Sequence, residues 1–202
     1  MMYKYMNKTT LGIIGLFAGD YSAAMHTREI ARAIGVDVKA VQIQLKRLEA
    51  DGILLSRTSG RNTEYRLNLG NTNTRYGMVL AEYAKALALL ERNFAIKRFA
   101  DATGKDADCI LVLFGSFAAG NEDKASDIDL LVIAGEKMHR RAFGEAGKTV
   151  GREVNPVFMD AQGFMAGLRA NDPLVKEAMK RHIVLSGADR FCAMVWDYYA
   201  AR

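Results

Sequence analysis

Asp127 and Asp129 stand two apart in the run Ser126-Asp127-Ile128-Asp129-Leu130-Leu131-Val132. Side chains alternate faces along a strand, so this spacing puts both carboxylates on one face and Ile128, Leu130 and Val132 on the other. Neighbouring carboxylates raise each other's cost of ionisation, and a divalent cation with oxygen ligands such as Mg²⁺ relieves it. Upstream, the apolar run Ile110-Leu111-Val112-Leu113-Phe114 enters Gly115-Ser116-Phe117-Ala118-Ala119-Gly120. A glycine there lets the backbone approach a ligand, and the amides of the following turn point at an anion. Each motif alone also fits a plain turn or a half-exposed strand. Together, in this order, they suit phosphoryl-group chemistry on a nucleoside triphosphate.

A hydrophobic strand, Gly-Ser, roughly ten residues and then Asp-hydrophobic-Asp resembles the nucleotidyltransferases of the DNA polymerase beta superfamily, in their minimal prokaryotic branch. Gly115, Ser116, Asp127 and Asp129 match the pattern residue by residue. The resemblance covers residues 105–187. It implies that Gly115, Ser116, Lys124 and Ser126 meet the nucleotide, and that Asp127 and Asp129 hold two Mg²⁺ ions. An NTP, expected to be ATP, would give its NMP to a hydroxyl acceptor and release pyrophosphate. The resemblance also implies a third acid on a neighbouring strand, as metal ligand or as base. Gly151-Arg152-Glu153-Val154-Asn155-Pro156-Val157-Phe158 reads as that strand, and Glu153 as that acid. Asp160 competes, but Asp160-Ala161-Gln162-Gly163-Phe164 reads as a capped helix start. One departure is visible. The family often carries Arg or Lys before the second glycine, where this chain has Ala119, so the charge is expected from Lys124, Lys137 or Arg140.

These residues need a scaffold. Ile110 to Phe114, Ile128 to Ile133 and Val154 to Phe158 read as strands between helical segments. Asp172-Pro173 is a cap followed by a first-turn proline, predicting a helix over 173–181. Ile183-Val184-Leu185 is a short final strand or turn. In a C-terminal helix over 188–202, Phe191, Val195, Trp196 and Tyr199 lie at helical spacing and read as packing residues. Before the strands, residues 71–104 read as a linker, with one long helix over about 76–102. Its stripe Leu80, Tyr83, Leu87, Leu90 and Phe94 steps by three and four. Core packing is the expected use of that stripe, and pairing with a second copy in a homodimer is the alternative.

The first 70 residues have a different pattern. Thr27 is a candidate cap for Arg28 to Ile34, which Gly35 ends, and Asp37 caps the next helix. That helix sets Val38, Val41, Leu45 and Leu48 on one face and Lys39, Gln42, Ile43, Lys46 and Arg47 outward. Two short strands around Thr58-Ser59-Gly60-Arg61-Asn62 then read as a β-hairpin. Residues 9–68 resemble the winged helix-turn-helix of small bacterial and archaeal repressors. The resemblance implies that Lys39, Gln42 and Lys46 face double-stranded DNA, and that Arg57 and Arg61 reach phosphate or the minor groove. A protein-interaction role is the alternative.

The charge agrees with this division. The 202 residues carry a formal +5, half are hydrophobic and two are proline, which excludes a disordered or fibrous chain. The net charge is +4 over residues 1–70, +2 over 71–104 and −1 over 105–202. Leu11 to Ala18, which faintly mimics a secretion signal, is too short to span a bilayer of about 20 residues and serves as the first helix instead. Cys109 and Cys192 have no metal-ligand spacing, and a cytoplasmic location is expected. The three histidines, His26, His139 and His182, are scattered. The fold class expected is α+β: a winged helix-turn-helix over 1–70, a linker helix over 71–104, a nucleotidyltransferase domain with a small mixed sheet over 105–187, and a helix over 188–202. Three functions remain open at this point. The chain is an Mg²⁺-dependent nucleotidyltransferase tethered to DNA, a transcription regulator that senses nucleotide, or an antitoxin that modifies a partner toxin.

Overall fold

The computed structural model describes residues 6–60, 62–103, 109–135 and 140–202, with side chains from residue 143 onward in the last segment. The chain forms two compact units, Met1–Ala84 with Val195–Arg202, and Lys85–Met194.

The first unit opens with α1 (Lys8–Gly15), β1 (Met25–His26), α2 (Thr27–Ile34) and α3 (Val38–Ala50), followed by β2 (Leu54–Ser59) and β3 (Asn62–Leu67). The strands form an antiparallel sheet in the order β1-β3-β2. Local chemistry sets the boundaries. Asn7 caps α1, accepting from the Thr10 N–H at 3.0 Å. Gly35 ends α2 in the left-handed region at φ 66°, and Asp37 starts α3 by accepting from the Lys39 N–H at 2.8 Å. A cap of this kind stabilises by about 1 kcal/mol. The cap of α2 is His26 rather than Thr27, because the Glu29 carboxylate reaches back to the His26 N–H at 3.3 Å and Thr27 is already helical. Ile13, Ile14, Phe17, Ile30, Val41, Leu45 and Ile53 make the apolar core. Tyr21 joins it, stacked on Tyr199 at 5.4 Å and edge-on to Trp196 at 6.3 Å.

The single helix predicted over 76–102 is two helices, α4 (Thr72–Arg92) and α5 (Phe94–Thr103). Asn93 divides them. Its N–H still donates to the Leu89 carbonyl at 2.8 Å, while its side chain accepts from the Ile96 N–H at 3.1 Å and so starts a new helix. The stripe assigned to packing is also mostly outside, with Leu87 60% and Phe94 71% exposed. Met78, Ala81, Glu82, Ala86 and Leu89 are buried in its place. Alanines on that face allow a closer approach than the leucines and tyrosines of the stripe.

In the second unit β4 (Ile110–Phe114), α6 (Gly115–Ala119), β5 (Ile128–Ile133), α7 (Arg140–Val150) and β6 (Val154–Met159) follow in sequence. After them come α8 (Ala161–Ala170), α9 (Pro173–Lys180), β7 (Ile183–Ser186) and α10 (Ala188–Ala200). The sheet order is β6-β5-β4-β7, with β5 and β6 parallel and the other pairs antiparallel. The fold class is mixed α+β, as the sequence predicts. Asp160 caps α8 and Asp172 caps α9, each through its carboxylate. Pro156 sits in β6, an edge strand of this sheet, where a missing N–H is tolerated. Leu111, Leu113, Leu130 and Val132 pack with Phe99, Phe117 and Phe143 as the core beneath the site. In the tail, Phe191, Val195 and Trp196 are buried.

Candidate active site

The site is built at one end of β4 and β5. Phe114, the last residue of β4, pairs with Asp129, the second residue of β5, so the turn after β4 begins beside that carboxylate. Gly115 takes φ +68°, and a Cβ on it would run into Asp129 Oδ2. Both the left-handed backbone and the missing side chain are therefore required here. Ser116 follows in the short α6, which Gly120 closes at φ 73°. Phe117 of the same turn is anchored in the core.

Asp127 directly precedes β5 and Asp129 lies within it. Both are half-buried, while Ile128 and Leu130 between and after them are fully buried, so the period-two reading of this strand holds. Neither carboxylate is ion-paired among the described residues. What approaches them is an amide. Asn155 Nδ2 stands 3.4 Å from Asp127 Oδ2 and 3.4 Å from Asp129 Oδ1. The parallel register pairs Asp129 with Asn155 and Ile128 with Val154. Glu153 therefore falls before β6, exposed, its backbone carbonyl accepting from the Ile128 N–H at 2.9 Å. Among the described residues no three His, Cys, Asp or Glu side chains gather closely enough to share a metal ion. Asp160 is engaged as the cap of α8. Two carboxylates with no ion-pair partner among the described residues, and the space that the bare Gly115 leaves at Oδ2, still fit a divalent ion completed by phosphate oxygens.

The loop before Asp127 is tied in two ways. The Ser126 hydroxyl donates to the Asp123 carboxylate at 2.9 Å and accepts from the Asp123 N–H at 2.8 Å. That hydroxyl bond, with the Ala125 N–H, holds the Asp123 carboxyl below the usual carboxylate range. Ser126 thus spends its hydrogen bonds on the loop. Arg152 Nη1 donates to the carbonyls of Asp123, Lys124 and Ser126 at 3.0, 2.6 and 3.0 Å, with its guanidinium carbon 5.7 Å from the centre of the Phe117 ring. Lys124 is exposed in the same loop. Lys137 lies outside the described residues, as does the side chain of Arg140.

Three residues here escaped the sequence reading. Asn155 and Arg152 share the strand segment from which Glu153 was singled out. The third is Arg92, whose guanidinium lies 3.7 Å from where a Gly120 Cβ would be. It brings a cation to the turn that lacks one at Ala119. Nothing local in the sequence signals it, since Arg92 and Gly120 are joined only by the fold.

In the first unit, Lys39, Gln42, Ile43, Lys46 and Arg47 are exposed on α3, and Val41, Leu45 and Leu48 are buried. Arg57 is exposed on β2. Arg61 lies outside the described residues. No helix among the described residues is long and apolar enough to cross a membrane.

Comparison with known proteins agrees with the second unit. No curated protein matches the chain. Among solved structures, the chain is similar to TrmBL2, an archaeal chromatin protein whose structure shows a novel mode of DNA binding. That likeness has 13% identity and a TM-score of 0.31, over 86% of this chain and 70% of the other. Residues 96–185 match the family model of the nucleotidyltransferase domain, which supports a transferase. That match lies within the second unit, Lys85–Met194.

Proposed function

We propose that the protein is a nucleotidyltransferase that uses a metal-bound NTP, ATP by preference, and that its first unit is a winged helix-turn-helix holding it on double-stranded DNA. The observation that carries the transferase reading is the contact of the Gly115 turn with Asp129, which puts an anion-accepting backbone beside two carboxylates that form no ion pair among the described residues. Asp127 and Asp129 are the residues that would hold Mg²⁺, which when bound supplies neutralisation of the phosphate charge. The amides after Gly115 and the Ser116 hydroxyl hold the phosphate chain, and Arg92 and Lys124 add positive charge at its flank. The chain orients the α-phosphorus for an acceptor hydroxyl, and most of the rate comes from this positioning and from electrostatics.

For the first unit, support comes from the order of α1, β1, α2, α3 and the β2–β3 hairpin, with a basic outward face on α3. A second reading, a regulator that binds nucleotide without transferring it, is favoured by one feature: the group facing both aspartates is the amide of Asn155. The antitoxin reading has no such support.

Incubation of the full chain and cell extract with α-labelled ATP and Mg²⁺ decides between these readings. A labelled acceptor, lost in Asp127→Asn/Asp129→Asn, is the expected result. Metal-dependent ATP binding with no labelled species would favour the regulator. Absence of both would overturn the nucleotide-site reading.

A further inference from the structure

Resting on that reading of the site, we propose that Asn155 occupies the place of a third carboxylate, so that the site takes a single divalent cation with its NTP. The register carries the argument. Asp129 pairs with Asn155 across the parallel β5–β6 ladder, and only Asn155 of β6 reaches both aspartates. Its amide donates to each carboxylate and brings no negative charge. The acid two residues earlier, Glu153, lies beyond the end of the strand and joins no group of three ligands among the described residues. With two formal negative charges instead of three, the site has the ligand charge for one ion, and phosphate oxygens complete its shell. An amide also takes no proton at neutral pH, so Asn155 serves as a positioning residue for the carboxylates and not as a base.

The test is a Mn²⁺ titration followed by electron paramagnetic resonance, on the full chain with a non-hydrolysable ATP analogue. Wild type is expected to bind about one Mn²⁺ per chain. Asn155→Asp supplies the missing charge and should gain a second ion or bind the first about tenfold more tightly. Glu153→Gln should leave both stoichiometry and affinity unchanged. Asn155→Ala, which needs no new charge in the fold, should show a larger Mn²⁺-induced rise in Tm than wild type, because the ion then replaces the amide between two repelling carboxylates. Two ions on wild type, a loss of affinity in Glu153→Gln, or an unchanged Asn155→Asp would each overturn the assignment of Asn155. A different result would sink the underlying nucleotide-site reading: Mn²⁺ and analogue binding that survives Asp127→Asn/Asp129→Asn, or that is absent from wild type.

Discussion

The carboxylate of Asp129 lies directly against the α-carbon of Gly115, and any β-carbon at that position would take the space of its Oδ2. Strand pairing of Phe114 with Asp129 holds the two backbones together, so the carboxylate can make room only by turning away about its own side-chain bonds. Gly115→Ala therefore meets two penalties, a left-handed backbone that costs about 1–3 kcal/mol for a residue with a side chain and a displaced Asp129 carboxylate. The expected outcome is a lower Tm together with loss of Mn²⁺-dependent ATP binding, read by calorimetry. Ser116→Ala, which keeps the backbone, should bind more weakly than wild type but not lose binding.

Arg152 acts on the same site through the loop. Its three carbonyl acceptors lie in the segment that delivers Asp127, and the Phe117 ring beneath it belongs to the Gly115 turn. Arg152→Ala leaves those carbonyls without their donor and is expected to lower Mn²⁺ affinity by about 10–100-fold, the usual effect of removing a group that orients metal ligands. Arg152→Lys keeps the charge but lacks the planar fork, so it should recover only part of the loss. Equal affinity in wild type and both variants would mean that the clamp does not position Asp127.

Much of this site could be read from the chain because its determinants are local. Gly115-Ser116 follows an apolar strand, and the spacing of Asp127 and Asp129 alone puts them on one face. Helix caps at Asp37, Asp160 and Asp172 are local for the same reason, each carboxylate bonding an N–H two or three residues on. The third member of the site is not local. Glu153 and Asn155 share a strand face by period, and only the β5–β6 register decides which one meets the aspartates. Asn93 escaped notice because the apolar period runs through it, while the break depends on one side chain accepting from the Ile96 N–H. The buried face of α4 is not legible in the apolar stripe, because it mixes Met78 and Leu89 with two alanines and a glutamate.

Stability at high pH should depend on Tyr199. Burial, then the neighbouring Asp20 carboxylate, push its phenol above the usual tyrosine range. The folded chain therefore keeps a proton that the unfolded chain releases near pH 10. This contribution is complete below about pH 10 and is lost as pH rises above it. Tyr199→Phe retains a ring against Tyr21 and removes the titration. Urea midpoints measured from about pH 8 to 11 should then fall less steeply above pH 10 in Tyr199→Phe than in wild type. Parallel slopes would show that the phenol ionises alike in both states.

The exposed face of α3 makes a separable prediction about DNA. Lys39 and Lys46 project from it with Gln42 between them, and Arg57 is exposed on β2. A lysine that neutralises a phosphate releases counterions on binding, so its removal weakens binding to every sequence and flattens the salt dependence. Lys39→Ala and Lys46→Ala should each reduce the slope of log K against log salt by about 1, measured by fluorescence anisotropy between about 50 and 200 mM salt. Gln42 has the amide geometry to read an adenine edge. Gln42→Ala should leave the slope intact and relax discrimination at one base pair by about 1–3 kcal/mol. If all three variants match wild type in slope and in preference among duplexes, α3 is not the DNA face, and its cations are solvated or serve a protein partner.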